Sequence, residues 1–128
     1  MIMSEKRILI IDDSEIDREL LKNMLFLEYE VETAENGYKG VERVLKGAPK
    51  IEGILLDLHM PIMDGFSVLE LLKVNGITDI PIVIITAEST EANLFKTYPY
   101  KIADFICKPY EPKAVISRLK KAFDQDLR

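Results

Sequence analysis

This sequence has a single cysteine, a single histidine, no basic excess and no long apolar run. Cys107 cannot close an internal disulfide, so a reducing, cytoplasmic setting is expected. His59, as the sole histidine, excludes a histidine-rich metal site and a second histidine to serve as intrachain phosphoryl donor. The longest apolar stretches, such as Ile80 to Ile85, fall far short of the roughly 20 residues of a membrane helix. Met1 to Arg7 has no signal-peptide apolar core, so no membrane association is expected. Seventeen basic against 22 acidic side chains leave a net charge of −5. Without a basic patch or stripe, direct binding to nucleic-acid phosphates is not expected. Repeats, low-complexity tracts and Gly/Ser-rich linkers are missing as well.

What remains is an ordinary globular composition. The 128 residues are 48% hydrophobic and 30% charged, enough for one packed domain over 1–128 with its core at about 7–124. Apolar runs alternate with segments of helical period, the pattern of a parallel sheet flanked by helices. The runs are Ile8 to Ile11, Tyr29 to Thr33, Ile54 to Leu56, Ile82 to Ile85 and Phe105 to Cys107. The first helix is expected to start at Ser14 as cap, with Asp17 at the capping-box distance. Its apolar stripe reads Ile16, Leu20 and Met24, with Leu21 and Leu25 beside it. Asn36-Gly37 alone suggests a hairpin, but Tyr38, Val41, Val44 and Leu45 follow at helical spacing and favour a strand-to-helix turn. A third helix spans Phe66 to Asn75 and ends near Gly76. A weaker, polar helix lies within Ser89 to Tyr98 and stops before Pro99. The last opens at Glu111-Pro112 and buries Val115, Leu119, Ala122 and Phe123. Cys107 reads as a buried, inert strand residue. The fold class is a doubly wound α/β sheet of five strands.

The residues that end the strands carry the chemistry. Strand one stops at Asp12-Asp13, strand three at Asp57, strand four at Thr86 and strand five at Lys108. In an open parallel sheet these ends share one edge, where ligands bind beside a topological switch point. Two unit charges about 4 Å apart at an effective dielectric near 20 interact by about 4 kcal/mol. Three carboxylates so placed therefore shift their protonation or hold a cation. An all-oxygen, carboxylate-rich set favours Mg²⁺. A carboxylate can also attack phosphorus and form an acyl phosphate, with a cation, Lys108 and the Thr86 hydroxyl stabilising the charge.

Asp12-Asp13, Leu56-Asp57-Leu58-His59-Met60-Pro61 with Asp64-Gly65, Thr86-Ala87 and Lys108-Pro109, in that order, resemble the response-regulator receiver family. Ala34, Asn36 and Gly37 also stand where that family has them. The resemblance runs from about Arg7 to the C-terminus. It implies a flavodoxin-like (βα)5 fold with strand order 2-1-3-4-5 and Asp57 as phosphoacceptor. It implies Mg²⁺ held by the carboxylates of Asp13 and Asp57 and the His59 backbone carbonyl, with Asp12 acting mainly through water. Lys108 would pair with phosphoryl oxygens, and the Lys108–Pro109 peptide would be cis. Thr86 and the aromatic Phe105 would form the switch, and His59 and Glu88 occupy positions that tune dephosphorylation.

The implied donor is a histidine kinase or histidine phosphotransfer protein, and the implied output is a downstream protein target. A monomer or weak phosphorylation-dependent dimer is expected, in a stand-alone receiver of the chemotaxis or phosphorelay kind. The alternative is a receiver cut from a larger regulator with an output domain. Three other classes fit less well. A metal-dependent phosphatase needs an Asp-x-Asp pair, and His59 stands at that distance from Asp57. A flavodoxin-like electron carrier needs a phosphate-cradling loop where Asp12-Asp13-Ser14-Glu15 stands. A pseudo-receiver would not keep the full set. One departure is Tyr100-Lys101-Ile102-Ala103 where the family has Gly-Ala. With Pro99 upstream, this predicts a shortened or reshaped fourth helix and partner-binding face.

Overall fold

Residues 6–87 and 90–124 are described by a computed structural model. The chain alternates strand and helix: β1 (Arg7–Ile11), α1 (Glu15–Leu25), β2 (Glu30–Ala34), α2 (Gly37–Lys46), β3 (Gly53–Leu56), α3 (Gly65–Val74), β4 (Ile82–Thr86), α4 (Glu91–Lys96), β5 (Asp104–Cys107) and α5 (Pro112–Asp124). The strands form one parallel sheet in the order β2-β1-β3-β4-β5.

The central strands are uniformly apolar because both faces of the sheet are covered. Alternate residues divide between two cores, as the period of two requires. Leu9, Ile11, Ile54, Leu56 and Ile84 pack with Val41, Val44, Val68 and Leu72 of α2 and α3. Ile8, Ile10, Leu55, Val83 and Ile85 pack with Leu21, Leu25, Val115, Leu119 and Phe123 of α1 and α5.

Caps set the helix starts. The Ser14 hydroxyl accepts the Asp17 N–H at 3.2 Å, Asn36 accepts from Lys39 at 2.8 Å and Asp64 accepts from Ser67 at 2.9 Å. Asn36-Gly37 is therefore a strand-to-helix turn, and α2 closes on Gly47 in the left-handed region.

Two expectations change. The stripe Ile16–Leu20 is not the buried face of α1: these residues are 79% and 46% exposed, while Leu21 and Leu25 are buried. At about 100° per residue, Leu21 and Leu25 centre a face from which Leu20 lies about 120° and Ile16 about 160° away. Only Met24, half-buried, belongs to both stripes. Cys107 is exposed, not buried. It ends the edge strand and alternates with buried Ile106, so it faces away from α1 and α5.

The fourth helix is indeed short and buries none of its residues. The run after it is nevertheless tied down. The Thr97 hydroxyl donates to Leu94 O at 2.6 Å, and Tyr100 donates to Glu70 on α3 at 2.6 Å. Lys73 Nζ stands 5.5 Å from the centre of the Tyr100 ring. Ala103 N–H then reaches Ile82 O at 2.7 Å and starts β5 in register.

Candidate functional site

Backbone bonds just past the strands set the site. Asp12 N–H donates to Ala34 O at 3.2 Å, Asp57 N–H to Ile11 O at 3.0 Å and Lys108 N–H to Thr86 O at 2.8 Å. Each strand is thus extended by one residue, and those residues turn their side chains into one cleft at the C-terminal sheet edge. Asp12, Asp57 and Thr86 are buried, and Asp13 is exposed at the mouth.

Oxygens of Asp12, Asp13 and Asp57 all lie within 4.8 Å of one another. Opposite ligand oxygens of Mg²⁺ stand about 4.2 Å apart, twice a bond of roughly 2.1 Å, so small side-chain rotations would close this set on the ion. The donors are all hard oxygens, and the group fits.

Lys108 Nζ reaches into the same cleft. It donates to Asp17 Oδ2 at 2.7 Å, to Asp12 Oδ2 at 3.1 Å and to Asp57 Oδ2 at 3.5 Å. Burial alone would lower the lysine pKa, but the Asp17 hydrogen bond and the charges of Asp57 and Asp12 outweigh it and raise the pKa. Lys108 is therefore a fixed cation. The Asp12 pKa is raised as well: burial lifts its carboxyl above the usual range, against the Ser14 N–H bond of 2.9 Å and the Lys108 charge, which lower it. Its backbone carbonyl accepts from Arg18 Nη1 at 2.8 Å.

The loop after β3 folds closely around Asp57. His59 N–H donates to Asp57 Oδ1 at 3.2 Å, and Gly65 N–H to Leu58 O at 2.9 Å. The Lys108–Pro109 peptide is cis. Ile62 is the one non-glycine residue with positive φ among the described residues, at 71°.

The expected switch residues are close in the sheet. Phe105 pairs with Ile84, so it lies diagonal to Thr86 on the same side of the sheet. The Phe105 ring is half-buried against the α2–α3 core. The His59 side chain is exposed, with Nε2 3.5 Å from Asn93 Nδ2 on α4. Glu88 lies outside the described residues.

The sequence reading missed two residues. Asp17 entered it only at the capping-box distance, yet its carboxylate is the nearest partner of Lys108. The available signal was its place four residues before Leu21 and eight before Leu25, on the inward face of α1. Tyr110, after Lys108-Pro109, has a buried hydroxyl with no hydrogen-bond partner among the described residues. Burial first, then the Asp17 charge, raises its pKa.

Residues 8–120 match the response regulator receiver domain model. The chain belongs to this family. Among curated relatives, it is 36% identical over 118 residues to the transcriptional regulatory protein ResD of Bacillus subtilis, covering 91% of this chain and 48% of ResD. It is 37% identical over 114 residues to SrrA of Staphylococcus aureus, covering 88% of this chain and 46% of SrrA. The receiver thus spans about half the length of these curated relatives.

Solved structures share the fold. A CheY-like receiver domain protein from Methanospirillum hungatei superposes with a TM-score of 0.85 at 26% identity, covering 95% of this chain and 96% of that one. The chemotaxis protein CheY4 of Vibrio cholerae gives 0.84 at 24% identity, covering 93% and 99%. A chain of the CheX-CheY-BeF3-Mg²⁺ complex from Borrelia burgdorferi gives 0.82 at 25% identity, covering 92% and 89%. No helix among the described residues is long and apolar enough to cross a membrane.

Proposed function

We propose that this receiver accepts a phosphoryl group on Asp57 from a phosphohistidine protein and passes the signal through protein contacts. The observation that carries this reading is the convergence on Asp57. Its carboxylate shares a cluster 4.8 Å across with Asp12 and Asp13, and Lys108 Nζ lies 3.5 Å from its Oδ2.

Asp12, Asp13 and Asp57 would hold Mg²⁺, with the His59 carbonyl as a further oxygen, and the ion would supply charge neutralisation for the incoming phosphoryl group. An Asp57 oxygen attacks phosphorus, a P–O bond to Asp57 forms, and the donor's P–N bond breaks with its electron pair returning to imidazole. Lys108 pairs with the transferred oxygens, while the loop around Leu58 and Gly65 holds the nucleophile in place. Water later attacks phosphorus and releases phosphate and the free carboxylate. His59, whose N–H bonds Asp57 Oδ1, and Glu88 are both assigned the tuning of that step from their places in the sequence.

The signal is a change of charge. A phosphoryl group adds roughly −1.5 to −2 units at neutral pH. Thr86 reads it through its hydroxyl, and Phe105, its diagonal neighbour, repacks. Phenylalanine has no hydroxyl, so the switched ring acts by packing alone.

The test is intact mass after incubation with Mg²⁺ and a small acyl-phosphate donor. Wild type gains one phosphoryl group and Asp57→Ala gains none. An unlabelled wild type under saturating donor would overturn the reading, and equal labelling of both would move the site elsewhere.

A further inference from the structure

An ammonium has three N–H donors, and Lys108 has three carboxylates in reach, but the three acceptors are not equivalent. Asp12 and Asp57 belong to the group of oxygens that could close on a cation, and Asp17 does not. Asp17 is also the nearest, at 2.7 Å against 3.1 and 3.5 Å.

The fold fixes this arrangement from two sides. Asp17 sits in the first turn of α1, its own N–H held by the Ser14 cap, on the face that continues into Leu21 and Leu25. Lys108 leaves β5 with its backbone bonded to Thr86. Neither residue depends on a long flexible loop for its position.

We propose that Asp17 is a positioning residue that anchors the Lys108 ammonium at the rim of the cleft, where the lysine keeps a partner when Asp12 and Asp57 turn to the cation. This rests on the reading of Asp57 as phosphoacceptor. The physical reason is competition for the same oxygens. Without Asp17, the ammonium's remaining partners are Asp12 and Asp57, so it would sit on the oxygens a divalent ion must take. With Asp17 in place, two of its donors can be released toward a phosphoryl group while the third remains engaged.

The experiment measures Mg²⁺ affinity by calorimetry with the metal alone and no phosphoryl donor. Asp17→Asn is expected to weaken Mg²⁺ binding roughly tenfold, the scale of losing an outer-sphere partner. Glu15→Gln removes the same unit of charge from the same helical turn, but its exposed carboxylate makes no ion pair among the described residues. It is expected to weaken binding by no more than about twofold, as a screened surface charge should.

In a Lys108→Met background the Asp17→Asn effect shrinks to the Glu15→Gln size, because the competing ammonium is gone. Asp17→Glu keeps the carboxylate and recovers most of the lost affinity, a result that mere damage to α1 would not give. The anchor role is overturned if Asp17→Asn and Glu15→Gln weaken binding equally, if the Asp17→Asn effect persists undiminished without Lys108, or if Asp17→Glu recovers nothing. Labelling of Asp57 by acyl phosphate is read separately. Normal labelling with any of those results sinks the anchor alone, and an unlabelled wild type sinks the phosphoacceptor reading. A wild type that does not bind Mg²⁺ removes both the metal and the anchor.

Discussion

A β-carbon placed on Gly65 would stand 2.6 Å from the Asp57 carbonyl oxygen and 2.7 Å from Leu58 Cα. Both are backbone atoms, so no side chain can swing aside to make room. The first turn of α3 therefore packs directly on the chain that presents Asp57, with the Gly65 N–H bonded to Leu58 O. Gly65→Ala is expected to lower stability by roughly 1–3 kcal/mol, the usual cost of overpacking. If Asp57 is the phosphoacceptor proposed above, it should also slow acyl-phosphate labelling there, because relief of the clash moves the Asp57 carboxylate. Urea unfolding and the rate of mass gain check the two effects. Wild-type values for both would show that the backbone yields without disturbing the site.

Glu32 on β2 accepts from Arg43 Nε at 2.6 Å and Nη2 at 3.1 Å and from Arg7 Nη1 at 2.9 Å. The Arg43 hydrogen bond is the main cause that holds its carboxyl below the ordinary 4.5. A carboxylate with a depressed folded pKa adds stability above its unfolded pKa and loses it as pH falls through the folded one. Glu32→Gln should thus cost on the order of 1 kcal/mol near neutral pH, a modest figure for a partly exposed network. That difference should shrink toward zero as pH falls below 4.5. Urea titrations of both proteins across this range provide the measurement, and a pH-independent gap would contradict the linkage.

Much of this was legible in the sequence because burial and backbone geometry write simple patterns. Strands covered on both faces read as apolar runs such as Ile82 to Ile85, and the residues that end them fall at one sheet edge. The strand pattern alone thereby brings Asp12, Asp57, Thr86 and Lys108 to one edge. The choice between two stripes on α1 was less legible. Ile16, Leu20, Leu21, Met24 and Leu25 cover so wide an arc that helical period alone cannot say which side turns inward. The contacts that fix the inward side are non-local: Leu21 and Leu25 pack with Val115, Leu119 and Phe123 of α5, and Asp17 meets Lys108, 91 residues away in the chain. Cys107 failed for a related reason, since strand membership does not say that an edge position is left uncovered. The anchoring of Tyr100 on Glu70 and Lys73 was hidden because it joins two segments 30 and 27 residues apart, with no periodic signal.

Ile62 is 86% exposed and holds a φ of 71° in the loop between Asp57 and α3. A β-branched side chain in this region is strained, and its exposure offers no packing in return. Asn tolerates the left-handed region and avoids the extra backbone freedom that Gly gives the unfolded chain. Ile62→Asn is expected to raise stability by about 1 kcal/mol, or the melting temperature by roughly 3–6 °C. Differential scanning calorimetry checks it. An unchanged or lower melting temperature would mean that Ile62 makes a compensating contact.

The exposed pair Ile16 and Leu20 lies on the first turns of α1, the helix that begins beside Asp12 and Asp13. Apolar side chains this exposed contribute little to the fold, so Ile16→Ser with Leu20→Ser should change stability by less than about 0.5 kcal/mol. On the proposed function a phosphohistidine donor would have to bring its imidazole into the adjoining cleft, and the apolar pair would offer it a surface to bury. The double variant is therefore expected to take a phosphoryl group from a small acyl phosphate at the wild-type rate. Transfer from a phosphohistidine domain should slow by roughly fivefold or more, about 1 kcal/mol of lost contact at the limit of subsaturating donor. The comparison of the two donors on one pair of proteins is decisive. If both rates fall together, the substitutions have disturbed the cleft; if neither falls, the donor docks elsewhere.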